Sequence, residues 1–443
     1  MDMSHAEARW SELVNGMCGK CEKDDFWRLY SPEPLKLPTQ GWKLHLSATP
    51  KNIHQIFRIS VRIAQKYTLL IKFPRCISSL LLLNSGVGTA LSQVGKVFTF
   101  YCDSECRMLK AAEELGKKTN RFRCPSVAFD EQVVWGQNLY FRYGVINGSS
   151  ESKIVNPDGV TVADERGRGK AIPAWLQGSS FVRKIQGKSK SRHLATRLLP
   201  SDLLVFEALS QRAKGGVYKA LDLSVIPGRV IILKEGRLDG EINTEGLDGY
   251  KLAKREGKNL KKLHRVGCNV PLVFRVIDLA THIYVATEYL EGMTLDYCCQ
   301  AGIDHKLIIC RNLMREISTI NRAGWVWRDC KFSNIIVNGD SVRLIDMEGA
   351  CRVEVADRSR WGSPGFIPDF DLVPRHLQDE YAGLLTCAQL IASDFSGVNS
   401  VKLSNGVKES KVDGVLKKDF ANFLFAPSKS SIAKLLSTLF LSS

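Results

Sequence analysis

Several basic residues in the first half of the sequence are placed where they could handle a phosphate and a proton. Residues 40–50 read Gln-Gly-Trp-Lys-Leu-His-Leu-Ser-Ala-Thr-Pro. This alternation is that of a strand, and it puts Lys43 and His45 on one face. Leu70-Ile71-Lys72-Phe73 sets a lysine inside an apolar strand, where loss of hydration lowers an amine's pKa and suits it to act as a base. Leu139-Tyr140-Phe141-Arg142-Tyr143-Gly144 adds a guanidinium, whose planar fork matches phosphate oxygens two at a time. Taken alone, a Lys and a His on the solvent face of an edge strand are unremarkable.

The second half carries Trp327-Arg328-Asp329-Cys330-Lys331-Phe332-Ser333-Asn334 and, after an apolar run, Leu344-Ile345-Asp346-Met347-Glu348. These segments resemble the catalytic loop and metal-binding segment of protein kinases. Phosphoryl transfer needs a carboxylate near the acceptor hydroxyl and oxygen ligands for Mg²⁺. The resemblance gives the first role to Asp329, the second to Asn334 and Asp346, and neutralisation of the transferring phosphate to Lys331. Val230-Ile231-Ile232-Leu233-Lys234 resembles the strand that presents a lysine to the nucleotide phosphates, with Glu256 as its ion-pair partner. Thr287-Glu288-Tyr289-Leu290-Glu291-Gly292 resembles the hinge, so Glu288 and Leu290 are expected at the adenine. Gly362-Ser363-Pro364-Gly365-Phe366-Ile367-Pro368 resembles the end of an activation segment. Three departures stand out. The nucleotide loop over 209–218 keeps only the last of the usual three glycines, at Gly215 and Gly216; Trp327 replaces the customary His; and Met347-Glu348 replace Phe-Gly.

Taken over most of its length, the chain resembles the class III lanthipeptide synthetases, whose N-terminal domain is similar to the effector phosphothreonine lyases. Phe26-Trp27-Arg28-Leu29-Tyr30, residues 42–50, Lys72-Phe73, Phe141-Arg142-Tyr143-Gly144 and Asn156-Pro157-Asp158-Gly159 follow the family's order. The resemblance implies that Lys72 removes the α-proton of a phosphoserine or phosphothreonine and that His45 protonates the leaving phosphate. It makes Lys43 and Arg142 binders of that phosphate, with Lys96 a further contact. The implied activity is a bifunctional dehydratase that uses ATP or GTP with Mg²⁺ on a leader-bearing precursor peptide. Residues 124–129 lack the Asp-Arg pair the family leads one to expect, so one phosphate-binding arginine is either missing or replaced by Arg123. The family usually has a C-terminal cyclase domain, and this chain ends about where a kinase large lobe should. Ring closure is then expected to be absent, spontaneous or supplied by a separate cyclase. Two other readings remain open: a serine/threonine kinase whose N-terminal domain only binds peptide, and a pseudokinase scaffold.

The elements that must position these residues fit an α+β fold. Strand-like runs at 42–47, 69–73, 97–101 and 139–145 alternate with helical patterns at 52–66 and 102–117, and strands at 203–209, 217–221, 229–234 and 282–288 precede a helix-rich end. We expect a lyase-like domain over 1–188, a basic linker over 189–199 and a two-lobed kinase-like domain over 200–443, with lobes of about 200–290 and 291–443. The basic cluster of Arg183, Lys184, Lys188, Lys190, Arg192 and Arg197 reads as linker. A net charge of +16 spread along 443 residues gives no reason to expect nucleic acid. Thirteen cysteines, an odd number without an export signal, read as reduced thiols in a cytoplasmic protein. No apolar run is long enough to span a bilayer. A helical stripe at Ile432, Leu435, Leu436, Leu439 and Phe440 should pack on the large lobe.

Overall fold

A computed structural model describes residues 3–19, 21–86, 89–146, 153–167, 169–187, 199–242, 246–356 and 361–441. Two-residue alternation builds the first sheet. Its strands are β1 (Glu22–Lys23), β2 (Trp27–Tyr30), β3 (Gln40–Leu46), β4 (Leu70–Pro74), β5 (Phe98–Tyr101), β6 (Glu131–Gln132) and β7 (Leu139–Val145). They lie antiparallel in the order β1-β2-β4-β5-β3-β7-β6. One face carries Trp42, Leu44, Leu46, Ile71, Phe73, Phe98, Phe100, Leu139 and Phe141, all buried. The other carries the polar residues between them.

Helices α1 (Met3–Cys18), α2 (Ile53–Tyr67), α3 (Ile77–Ser85), α4 (Glu105–Thr119) and α5 (Ser180–Gln186) contribute to the core on the apolar face. In α2 the buried residues Ile53, Ile56, Phe57, Ser60, Val61 and Ala64 recur three and four apart, so one stripe meets the sheet. Phe181 of α5 stacks on Trp42, with ring centroids 4.5 Å apart. Arg183 and Lys184, expected in the linker, lie in this helix, because the neighbouring Phe181, Val182 and Ile185 anchor it to the core. The rest of the expected linker, save Leu199, lies outside the described residues.

A hairpin of β8 (Lys153–Val155) and β9 (Thr161–Ala163) follows β7. The Asn156 side-chain oxygen accepts the backbone N–H groups of Asp158 (3.0 Å) and Val160 (2.8 Å), and Gly159 takes the left-handed backbone (φ +81°) that closes the turn. The hairpin delivers Asp164 and Arg166 to the sheet's polar face.

The second sheet comprises β10 (Leu203–Arg212), β11 (Gly215–Asp222), β12 (Arg229–Arg237), β13 (Val273–Asp278) and β14 (His282–Glu288), ordered β10-β11-β12-β14-β13. Helix α6 (Gly249–Arg265) packs on β12 and β14 and starts at Asp248, whose side chain accepts the Lys251 N–H. Helices Ile303–Arg322, Gln378–Ala392, Gly414–Phe425 and Lys429–Leu441 join the largest apolar cluster. Ile432, Leu435 and Leu439 pack as expected. Phe440 is instead 42% exposed, since it lies a further 100° or so around the helix from Leu439.

The architecture is α+β. No described helix is long and apolar enough to cross a membrane. All thirteen cysteines are free thiols. Because Phe141 is fully buried against Trp42 and Phe181, Phe141→Ala is expected to cost about 3–5 kcal/mol of stability, read from urea unfolding followed by tryptophan fluorescence.

Candidate functional site

Sheet register assembles the first site. Lys72 pairs with Thr99, and Thr99 with His45, across β4, β5 and β3; Tyr101 pairs with Lys43, and Lys43 with Arg142, in the neighbouring row. These rows are two residues apart, so all six side chains emerge on one face. With Gln93, Lys96 and Arg166 they line a small polar cleft. Asp130 pairs with His45 Nδ1 and with Lys96 Nζ at 3.0 Å, and its carboxylate is out of solvent. Asp164 pairs with Arg142 and accepts the Val145 N–H at 3.1 Å. Gly144 permits this approach: a Cβ there would lie 2.6 Å from the Asp164 carboxylate.

Burial lowers the lysines. Lys43 is pushed down to about 8, and Lys72 and Lys96 are lowered as well, with neighbouring cations adding to the effect. His45 falls to about 3 through burial and the charge of Lys96, so it is neutral near pH 7 and its Nδ1–H donates to Asp130. Lys72 Nζ lies 4.4 Å from the Trp27 ring centroid, and that ring covers the amine.

The second site is built on Lys234 of β12. Its ammonium lies 2.6 Å from Glu256 of α6, 2.9 Å from Asp346 and 4.0 Å from Glu348. Burial opposes its charge, but the three carboxylates win and raise its pKa well above the ordinary lysine range. Carboxylate oxygens of Glu256, Asp346 and Glu348 fall within 4.8 Å of one another, a set of hard ligands of the kind Mg²⁺ takes. Lys214, at the Ala213-Lys214 turn between β10 and β11, reaches Glu348 at 2.6 Å. In the neighbouring loop, Asn334 Nδ2 donates to the Asp329 carboxylate (2.8 Å), Lys331 Nζ sits 3.0 Å from it, and the Ser363 hydroxyl donates to it at 2.7 Å.

Arg328 (φ +71°) and Asp346 (φ +62°) hold left-handed backbone that non-glycine residues rarely adopt. Asp379 fixes the first by accepting the N–H groups of Trp327 and Arg328, each at 2.6 Å. The Trp327 indole N–H donates to the Asp346 carbonyl at 3.1 Å, so tryptophan ties the two loops together where the kinase pattern has histidine.

Every residue singled out in the first half's chemistry, Lys43, His45, Lys72, Lys96 and Arg142, lines the one cleft. Glu288 and Leu290 border a separate cavity at the hinge, where Arg343 holds the Glu288 carboxylate at 2.7 and 2.9 Å. Gly215 answers to packing, since a Cβ there would lie 1.9 Å from the Glu235 carbonyl. Arg123 does not replace the missing phosphate-binding arginine: its guanidinium pairs with Asp239 and Asp248 of the second half. Arg166 is the further arginine on the cleft. Sequence reasoning missed it, with Asp130, Asp164, Lys214 and Asp379, because these residues lie in turns, loops or a first helical turn without a periodic signal.

Parts of the chain are similar to known proteins. The family described as RamC, N-terminal domain, matches residues 14–192. A "Probable SapB synthase" of Streptomyces coelicolor is 26% identical over 369 residues, covering 77% of this chain and 38% of that protein. The KEOPS complex subunit Bud32 of Pyrococcus abyssi is 32% identical over 93 residues, 21% of this chain and 41% of that protein. The serine/threonine-protein kinase PAK 1 of Mus musculus is 27% identical over 162 residues, 35% of this chain and 27% of that protein. The chain spans less than half the length of each of these curated relatives. Residues 14–192 accordingly match a RamC-type N-terminal domain, and the chain is similar over most of its length to the class III lanthipeptide synthetases.

Proposed function

We propose that this chain dehydrates a leader-bearing precursor peptide in lanthipeptide-type biosynthesis. In this reading residues 200–443 phosphorylate serine or threonine, and residues 1–188 eliminate the phosphate. The observation that carries the reading is a single sheet face that gathers Lys43, His45, Lys72, Lys96, Arg142 and Arg166, in the same chain as the Lys234, Glu256 and Asp346 cluster.

In the first reaction the acceptor hydroxyl attacks the terminal phosphorus of ATP or GTP, the bond from that phosphorus to its bridging oxygen breaks, and the nucleoside diphosphate leaves. Asp329 takes the hydroxyl proton, and Lys331 beside it offsets charge on the moving phosphoryl group. Lys234, held by Glu256, is placed for the nucleotide phosphates, with Gly215, Gly216, Glu288 and Leu290 at the nucleotide's other edges. Asp346 and Asn334, with Glu348 nearby, would hold Mg²⁺, which when bound neutralises phosphate charge.

In the second reaction Lys72, whose burial favours the neutral amine, removes the α-proton, a Cα=Cβ double bond forms, and the Cβ–O bond breaks as phosphate departs. Lys72 ends protonated, and the product is dehydroalanine or dehydrobutyrine. Lys43, Lys96, Arg142 and Arg166 bind the phosphate and stabilise its growing charge. His45 supplies a proton to the leaving group. It is neutral in the free cleft, held down first by burial and then by the charge of Lys96, and an arriving phosphate dianion offsets the second of these and so favours the charged form. Dependence on nucleoside triphosphate suits the cytoplasm.

Mass spectrometry of a candidate precursor peptide with the chain, Mg²⁺ and each nucleotide tests this reading. Wild type should remove the elements of water, Lys72→Ala should stall at phosphopeptide, and Asp346→Asn should leave the peptide unchanged. Phosphopeptide accumulating with wild type would discard the elimination step.

A pH prediction follows from Lys43. Its charge is present below about 8 and lost above it, so kcat/KM for elimination from a prephosphorylated peptide should fall as pH rises through about 8. Lys43→Arg should shift that fall to higher pH; an unchanged profile would remove Lys43 from phosphate binding.

A further inference from the structure

The loop after α4 reaches both sites. Asp130 braces His45 and Lys96 in the cleft, while Arg123, earlier in the same loop, extends to the second half. The backbone at Arg123 is fixed: its carbonyl accepts from the Asn52 side chain at 3.1 Å, and Cys124 Sγ accepts from the side-chain amides of Asn52 (3.5 Å) and Asn138 (3.8 Å). A guanidinium extended from so constrained a loop is an anchor rather than a loose surface charge.

Its partner is equally constrained. Asp248 is 1% exposed. One of its oxygens accepts the Lys251 N–H at 2.9 Å and so starts α6; the other accepts the Asp239 N–H at 3.1 Å and the Arg123 guanidinium at 2.8 Å. Without Arg123 this buried carboxylate loses its cationic partner, which is costly in a site shielded from water. Two turns along α6, Glu256 holds Lys234. At the helix start Gly249 lies so close to the β10–β11 turn that a Cβ would sit 1.9 Å from the Lys214 carbonyl, and Lys214 reaches Glu348. Both lysines of the nucleotide site therefore depend on where α6 begins. A second bridge, from the Ala213 N–H to the Ser85 carbonyl at 3.3 Å, joins the same turn to α3.

We propose that Arg123 is a positioning residue for phosphoryl transfer, through which the first half of the chain holds α6 in the register that pairs Glu256 with Lys234. This rests on the reading of the second half as a phosphotransferase. It gives the first half a part in the phosphorylation step in addition to its own elimination chemistry.

The test uses the full chain carrying Arg123→Ala or Arg123→Lys. Hydrogen exchange of the amides at 249–256, which needs no peptide, should speed up by roughly tenfold in Arg123→Ala and by less in Arg123→Lys. With the candidate precursor peptide and MgATP, kcat for phosphate transfer should fall by roughly tenfold in Arg123→Ala with partial recovery in Arg123→Lys, while elimination from a synthetic phosphopeptide without nucleotide keeps its wild-type rate. Unchanged exchange and kcat in an active enzyme would overturn the inference alone, as would equal loss of both reactions, which marks general unfolding. A wild-type chain that transfers no phosphate overturns the phosphotransferase reading and Arg123's part with it.

Discussion

Lys43, Lys96 and Arg142 are 9%, 5% and 3% exposed, and the carboxylates paired with this group are those of Asp130 and Asp164. Burying that much positive charge against two acids leaves an excess that water cannot relieve. The cost appears in the depressed lysines and in a histidine that stays neutral near pH 7. A doubly charged phosphate, the species proposed for this cleft, would relieve it by supplying negative charge among these cations. The apolar core of the opposite face makes this tolerable: Leu44, Phe100 and Phe141 are fully buried, and their packing fixes the strands that carry the cations.

The second site has the reverse balance. Three carboxylates surround Lys234, and Lys214 enters from the turn above. Excess negative charge in a sheltered site favours a divalent cation, as the excess positive charge of the cleft favours a phosphate. Each charge cluster is complementary to the species its proposed chemistry must hold. The strained backbone at Arg328 and Asp346 is held in place by Asp379 and Trp327, which exchange local flexibility for fixed positions of Asp329 and Asp346.

Contacts between the halves involve the turns that each site relies on. The loop that supplies Asp130 to the cleft also supplies Arg123 to Asp248, and the turn that carries Lys214 also donates to Ser85. The segments that join the halves are thus the same ones that carry charged groups of the two sites.

Periodic features were legible in the sequence by itself. Strands β3, β4, β5 and β7 and helices α2 and α4 follow from apolar spacing, and with them the common face of Lys43 and His45, because period two is a local property of the backbone. The order of Lys234, Glu256, Asp329, Asn334 and Asp346 was also legible, since their neighbours form recognisable local patterns. Tertiary structure alone decided which strands are neighbours, and so that Lys72 shares a row with Thr99 and His45. It decided the partners supplied by loops as well. Asp130, Asp164 and Arg166 have no periodicity to announce them, and Arg123, sought at a phosphate, meets Asp239 and Asp248 more than a hundred residues away. Side chains on irregular segments are aimed by packing between distant elements, and no local rule of the chain encodes that direction.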